Sequence, residues 1–314
     1  MKRIARDGFT LVEVLVVIAI VGLLVGLLLP AIMSARDASR RTHCLNTMRQ
    51  WGMAMQQYEA RNGRFPPGAI SYGETGVDPL FDRRTFVISL WPFLDAQVVL
   101  GQYDLQKPFW DSANRAAVDA RVPIYYCPAD RAGAWRVNGY SYARGNYVCN
   151  WGNANFLQTE PQYKRAPFSN YRSSNPTFAE IASRREPGNA AAAFIDGLSN
   201  TIFMSETVMA PGDGDLDLRG SILNNQAGGP TFMTKSTPNS GTDYVQCVSG
   251  RTFPGPCVWT APPDGWNSAR SLHVGGVSVG LGDGATRFVS DSVSLAIWQR
   301  YGTIKESEVV EPLP

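Results

Sequence analysis

Residues 9–29 read FTLVEVLVVIAIVGLLVGLLL. Glu13 is the run's single charge, and every residue from Val14 to Leu29 is apolar or glycine. As a helix rising about 1.5 Å per residue, this segment spans roughly 30 Å, the thickness of a bilayer's hydrocarbon core. The whole-chain mean hydropathy of −0.16 conceals it. Lys2, Arg3 and Arg6 precede the run, and Arg36, Arg40 and Arg41 follow it, so charge alone leaves the orientation open. The run is longer than a secretory signal's apolar core. It continues into Pro30 and helix-compatible sequence rather than a small-residue cleavage site, which predicts a retained membrane anchor.

Pro30 is predicted to kink or loosen the helix rather than end it, because residues 31–58 are rich in helix formers. Ala38, Leu45, Met48, Gly52 and Met55 form an apolar stripe, with Arg41, Asn46, Arg49, Gln50 and Gln57 off it. Asn62-Gly63 followed by Phe65-Pro66-Pro67-Gly68 is a strong stop. One helix from Phe9 to about Asn62, roughly 80 Å long, therefore anchors with its first half and seats a globular part on its second.

The 314 residues are 44% apolar and 18% charged, so the chain folds. Lys plus Arg (29) nearly cancels Asp plus Glu (27), which excludes a global basic field for nucleic acid. Thirty Gly and 21 Pro imply long loops between short elements. Residues 85–99 read as a short helix or strand pair, and 122–126 as a buried strand ending at Cys127-Pro128. Residues 190–195 and 201–206 read as strand, turn, strand about Asp196-Gly197. Residues 276–281 and 285–289 form a second hairpin about Gly282-Asp283-Gly284, and 294–301 a closing helix. The predicted class is α+β, the long helix packed on an antiparallel sheet with long loop insertions.

The chemistry available is sparse. The two histidines, His43 and His273, are too few for a zinc hydrolase. Gly276-Val277-Ser278-Val279-Gly280 matches a nucleophile elbow in letters, but Ser278 falls inside a strand and no histidine follows it. No catalytic set and no cofactor are predicted. His273 and Asp283 are expected to face one another across the base of the hairpin in a structural role. Asp213, Asp215 and Asp217 alternate like calcium ligands but lack the glycine and glutamate of an EF-hand. They are a weak calcium candidate beside the plainer reading of a solvated acidic loop. Five cysteines suggest disulfides. Cys247 with Cys257 is the first pair; Cys127 with Cys149 and Cys44 with Cys127 compete for the rest. Trp135, Tyr140, Tyr142, Tyr147, Trp151, Phe156 and Tyr163 cluster with Arg131, Arg136 and Arg144, either as a binding surface or as the core of an insertion.

Gly8-Phe9-Thr10-Leu11-Val12-Glu13, with the basic leader before it, the apolar run after it and Pro30 beyond, resembles the processing site of type IV prepilins and type II secretion pseudopilins. The resemblance implies that a prepilin peptidase cuts between Gly8 and Phe9 and methylates the Phe9 amine. It also implies that Glu13 pairs with the amine of a neighbouring subunit, which would offset the roughly 2.5–3.5 kcal/mol of a carboxylate placed mid-bilayer. Gly22 and Gly26 form a G-x-x-x-G pair that permits close helix approach.

A second resemblance rests on Phe65-Pro66-Pro67-Gly68, Leu90-Trp91-Pro92-Phe93-Leu94, Tyr126-Cys127-Pro128-Ala129-Asp130, Asn146-Tyr147-Val148, residues 196–201, and His273 separated by nine residues from Asp283-Gly284. In order and spacing these are similar to the bacterial prepilin-type processing-associated proteins with a C-terminal His, nine residues, Asp-Gly motif. Together the resemblances imply a leader (1–8), a transmembrane half-helix (9–29), an extracytoplasmic half-helix (30–62), a pilin-like head (63–304) and a flexible tail (305–314). The implied role is a structural subunit of a pilus or type II secretion-like filament. Its partners would be the prepilin peptidase, other pilin-like subunits and the inner membrane, with a cytoplasmic N-terminus and the head in the periplasm or outside the cell. A membrane-anchored extracytoplasmic ligand-binding protein is the alternative.

Overall fold

The computed structural model describes residues 11–72, 83–105, 107, 109–156, 158, 166–173, 188–248, 250, 252–253, 255–260, 264–304 and 313. The leader with Gly8 and Phe9, Tyr163 and nearly all of the tail lie outside the described residues.

Helix α1 (Leu11–Asn62) runs unbroken through Pro30 and, at about 1.5 Å per residue, is roughly 78 Å long. Every residue from 11 to 43 is exposed. Burial begins at Cys44 and recurs at Thr47, Met48, Trp51, Gly52, Ala54, Met55 and Tyr58, three and four apart as one helix face requires. This corrects the stripe expected from sequence. Ala38 lies on the exposed part of the helix, and the seam carries Cys44 and Trp51 instead. Arg41, expected on the polar side, stacks its guanidinium over the Phe288 ring at 4.7 Å.

Beyond the Gly63 stop (φ +72) come β1 (Ala69–Tyr72), α2 (Phe86–Leu90), a 3-10 turn (Trp91–Phe93), α3 (Gln97–Leu100) and α4 (Arg115–Asp119). The strand expected at 122–126 is instead a 3-10 turn over Pro123–Tyr125. Pro123 has no N–H for a ladder, and its ring presets the turn. Strands β2 (Ala134–Val137) and β3 (Tyr140–Ala143) make a hairpin about Asn138-Gly139, both at positive φ, as a two-residue turn of this type demands. Then come β4 (Tyr147–Asn150), β5 (Asn170–Ser173), β6 (Ile202–Glu206), β7 (Thr231–Phe232), β8 (Asp243–Val245), β9 (Cys257–Trp259), β10 (Gly276–Leu281), β11 (Thr286–Ser290) and α5 (Leu295–Tyr301). Ser294 caps α5 by accepting from the Ile297 N–H.

The central sheet has the order β11-β10-β6-β4-β7, antiparallel except for the parallel β4–β7 pair. The hairpin expected over 190–206 yields only its second strand. Residues 191–193 form a 3-10 turn, because β6 is already paired on both sides by β10 and β4. Helix α1 lies across β10 and β11. Its Trp51 ring packs edge-on to Phe86 at 5.7 Å and stacks with Tyr125 at 6.3 Å, and its indole N–H donates to the Ile124 carbonyl. One tryptophan thus ties the helix to the 86–125 segment while its neighbours meet the sheet.

Candidate functional site

Three regions gather the residues singled out in the sequence. The first is the N-terminal half of α1. Glu13 is on its exposed part, and Pro30 is internal to it. Around Gly22 and Gly26 the space that a Cβ would fill is open, so a neighbouring helix can approach.

The second is the tip of the β10–β11 hairpin. Gly284 sits at φ +85, and the Asp283 carboxylate accepts from the Ala285 N–H at 2.9 Å. The tip lies against α1: a Cβ added at Gly52 would meet the Gly284 Cα at 3.0 Å, and the Gln56 amide donates to the Gly282 carbonyl. The residue 196–201 turn supports it from the other side, with the Thr201 carbonyl accepting from Gly282 N–H at 2.9 Å. Asp196 and Gly197 shape that turn; Gly197 is at φ +88, and the Asn200 amide donates to the Asp196 carbonyl. The Asp-Gly pair is therefore a docking turn for the helix.

The third region corrects an expectation. His273 does not face Asp283, which lies at the opposite end of the hairpin. Its Nε2 stands 3.3 Å from Glu206 Oε1 and 3.4 Å from Cys127 Sγ, and Cys127 is bonded to Cys44. These four residues are buried, and their donor atoms all lie within 4.8 Å of one another. Each comes from a different segment: α1, the loop after Tyr125, β6, and the loop entering β10. The positions are fixed by a second layer. Glu206 Oε2 accepts from the Ser278 N–H at 2.7 Å, and Cys127 N–H donates to Asn146 Oδ1 at 2.9 Å. Asn146 in turn donates to Asp130 and to the Thr207 carbonyl. Pro128 thus belongs to a segment tied down at both ends.

Glu206 was not singled out in the sequence. Its signal was a lone carboxylate at the end of Ile202–Glu206, a strand buried at all five positions, where an unaccompanied charge is costly.

The second disulfide joins Cys247 to Cys257. Cys149 does not pair with Cys127; it is a buried free thiol on β4, and burial pushes its pKa well up. The three aspartates do not converge. Asp213 pairs with Arg131, Asp215 accepts from the Gly212 N–H, and Asp217 is buried against Arg219. Arg219 and Arg270 share the Asp243 carboxylate. Burial opposes the Arg219 charge, but Asp217 and then Asp243 outweigh it and hold its pKa up. The aromatic cluster divides. Tyr147, Trp151 and Phe156 are buried in the core, whereas Trp135 and Tyr140, with the buried Tyr142, line a cleft of about 480 Å³.

Comparison with known proteins places this architecture. A prokaryotic N-terminal methylation motif matches residues 4–29. Over 66 residues the chain is 35% identical to "Type II secretion system core protein G" of Klebsiella michiganensis, a match covering 21% of this chain and 46% of that protein. The chain thus spans about half the length of that curated relative. No solved structure matches. A family model described as "Protein of unknown function (DUF1559)" matches residues 33–296, from the exposed middle of α1 through the sheet, both disulfides and the start of α5. With a match over that much of its length, the chain belongs to this family and carries a prepilin-type methylation motif ahead of it.

Proposed function

We propose that the chain is a pilin-like or pseudopilin-like structural subunit, without a catalytic step of its own, that assembles through α1 into a pilus or type II secretion-like filament. The uncovered helix carries this reading. Seventeen large apolar side chains between Leu11 and Met33 are each at least 49% exposed. Covering them is worth on the order of tens of kcal/mol, so lipid must surround them before assembly and neighbouring helices within a filament. The one helix long and apolar enough to cross a membrane among the described residues is this one. The methylation motif and the type II secretion relative support the same reading.

In this reading a prepilin peptidase removes residues 1–8, cutting between Gly8 and Phe9 and methylating the Phe9 amine. Residues 9–29 span the inner membrane with the N-terminus cytoplasmic. Residues 30–62 lift and seat a head (63–304) in the periplasm or outside the cell, followed by the tail. Glu13 pairs with the Phe9 amine of an adjacent subunit and sets register. N-terminal mass spectrometry of the membrane fraction tests the processing step: methylated Phe9 is expected, and a chain beginning at Met1 refutes it. Glu13→Val should abolish incorporation into filaments while leaving membrane insertion intact.

One observation favours a second reading, a membrane-anchored ligand-binding protein. Trp51, Trp91, Trp151 and Trp298 are fully buried; of the other four tryptophans, Trp110, Trp135 and Trp259 line the same 480 Å³ cleft. Aromatic faces left partly open around one concavity suit ligand capture. Saturable ligand binding by the unassembled chain, lost in Trp135→Ala, would favour this reading over the filament.

A further inference from the structure

We propose that Cys44, Cys127, Glu206 and His273, with the cysteines as thiols, form a four-coordinate site for one zinc ion. This corner of the head then has two alternative locks, a disulfide and a metal centre. Two thiolates, an imidazole and a carboxylate are a donor set that zinc prefers, and four ligands close a structural site. The spacing fits as well. Zinc–nitrogen, zinc–oxygen and zinc–sulfur bonds of about 2.0, 2.1 and 2.3 Å at tetrahedral angles put nitrogen and oxygen about 3.3 Å apart, and nitrogen and sulfur about 3.5 Å apart. His273 Nε2 is 3.3 Å from Glu206 Oε1 and 3.4 Å from Cys127 Sγ.

Two thiolates on one zinc sit about 3.8 Å apart, a spread that rotation about the Cα–Cβ bonds supplies with the cysteine Cα atoms left 5.6 Å apart. Glu206 Oε1 accepts no hydrogen bond from any described residue, so the carboxylate oxygen nearest His273 has coordination capacity to spare. The outer layer that a metal centre requires is present: the Ser278 N–H holds the other Glu206 oxygen, and the Asn146 amide holds the Cys127 backbone.

The charge balance is direct. Zinc enters the dithiol form, two cysteine protons leave, and no electron moves. The bridged form has no thiolate to offer, so bridge and ion exclude one another. The disulfide ties α1 to the loop after Tyr125, and the metal centre ties it to β6 as well, so the head stays seated on its helix before the cysteines are oxidised. This depends on the cluster alone and not on filament assembly.

The test uses the full chain in detergent, stripped of metal and reduced anaerobically with a phosphine, with cobalt(II) as the probe. One equivalent of cobalt should give the intense visible bands and thiolate charge-transfer absorption of a tetrahedral thiolate site, and one equivalent of zinc should erase them. The oxidised chain should give neither. Cys44→Ser and Cys127→Ser should abolish the charge-transfer pattern, and Glu206→Gln and His273→Gln should weaken binding at least tenfold. Cys149→Ser and Cys247→Ser should leave the spectrum unchanged. Octahedral cobalt only, or a tetrahedral spectrum that survives Cys44→Ser at the same affinity, overturns the proposal. So does a reduced chain that loses its near-ultraviolet circular dichroism and does not regain it with zinc.

Discussion

Removing the two disulfides separately should cost the head unequal amounts. Cys44 and Cys127 are 83 residues apart, Cys247 and Cys257 only 10. A cross-link stabilises chiefly by restricting the unfolded chain, and the loop-closure relation gives about 4.5 kcal/mol for the long loop and about 2.7 for the short one at 25 °C. The perturbation is Cys44→Ala with Cys127→Ala against Cys247→Ala with Cys257→Ala. Alanine is the replacement because Cys44 is 0% and Cys127 5% exposed, and a serine hydroxyl left there unpaired would add its own cost. The assay is urea unfolding of the oxidised, metal-free chain in detergent, followed by tryptophan fluorescence, with Trp51 at the helix–head seam as a principal reporter. With an m-value of roughly 3 kcal/mol/M, the expected difference of about 1.8 kcal/mol places the midpoints roughly 0.6 M apart, the long-loop variant lower. Equal midpoints, or a long-loop loss under about 2 kcal/mol, would refute the reasoning. That result would mean that the Trp51 seam already constrains the unfolded chain.

Asp243→Ala takes the shared carboxylate from two side chains that are 1% and 4% exposed, leaving Arg270 without its acidic partner and Arg219 with Asp217 alone, and should cost about 3–5 kcal/mol in thermal unfolding. Asp213→Ala breaks a pair whose side chains are 34% and 30% exposed and should cost under about 1 kcal/mol. Gly284→Val forces a branched residue to φ +85 at a cost of roughly 1–3 kcal/mol, visible as a lowered Tm and easier proteolysis at the helix–hairpin seam. Alkaline pH should destabilise the head. Burial raises the folded-state pKa of Cys149, Tyr125 and Tyr147 above their ordinary 9.0, 10.0 and 10.0, so the unfolded chain gives up these protons first. The stability they contribute is full below about pH 9 and falls as pH rises further, by about 1.4 kcal/mol per pH unit for each group in its window. A flat denaturant midpoint between pH 8.5 and 10.5 would contradict it. The same burial should keep Cys149 unreactive toward an alkylating reagent until the chain unfolds.

Residues 11–62 were legible because helix geometry converts linear spacing directly into faces, and because an apolar run of bilayer length has few other uses. The β10–β11 hairpin and the Ser294-capped α5 were legible for the same reason, since alternation, an Asp-Gly turn and a capping serine act over a few residues. The Asn138-Gly139 hairpin carried an equally local signal within the aromatic stretch. Its flanking strands, Ala134–Val137 and Tyr140–Ala143, are four residues each, too short for alternation to stand out among the aromatics. Where neighbours in space decided, sequence misled: residues 190–195 are β-compatible but meet a strand already paired on both sides, and Ala38 lies on the helix face below the point where the head begins.

By itself, the sequence determined a membrane-length helix continuing into an α+β head, with a processing motif ahead of it, because periodicity, chain stops and residue chemistry are properties of neighbours along the chain. Only the tertiary structure decided that Cys44 bonds Cys127, that His273 meets Glu206 rather than Asp283, and that the Asp-Gly turn seats the helix. Those contacts join residues as distant along the chain as Gln56 and Gly282, 226 apart. Which distant groups meet depends on strand order and on the rotation of α1 over the sheet, and neither is encoded in any local window.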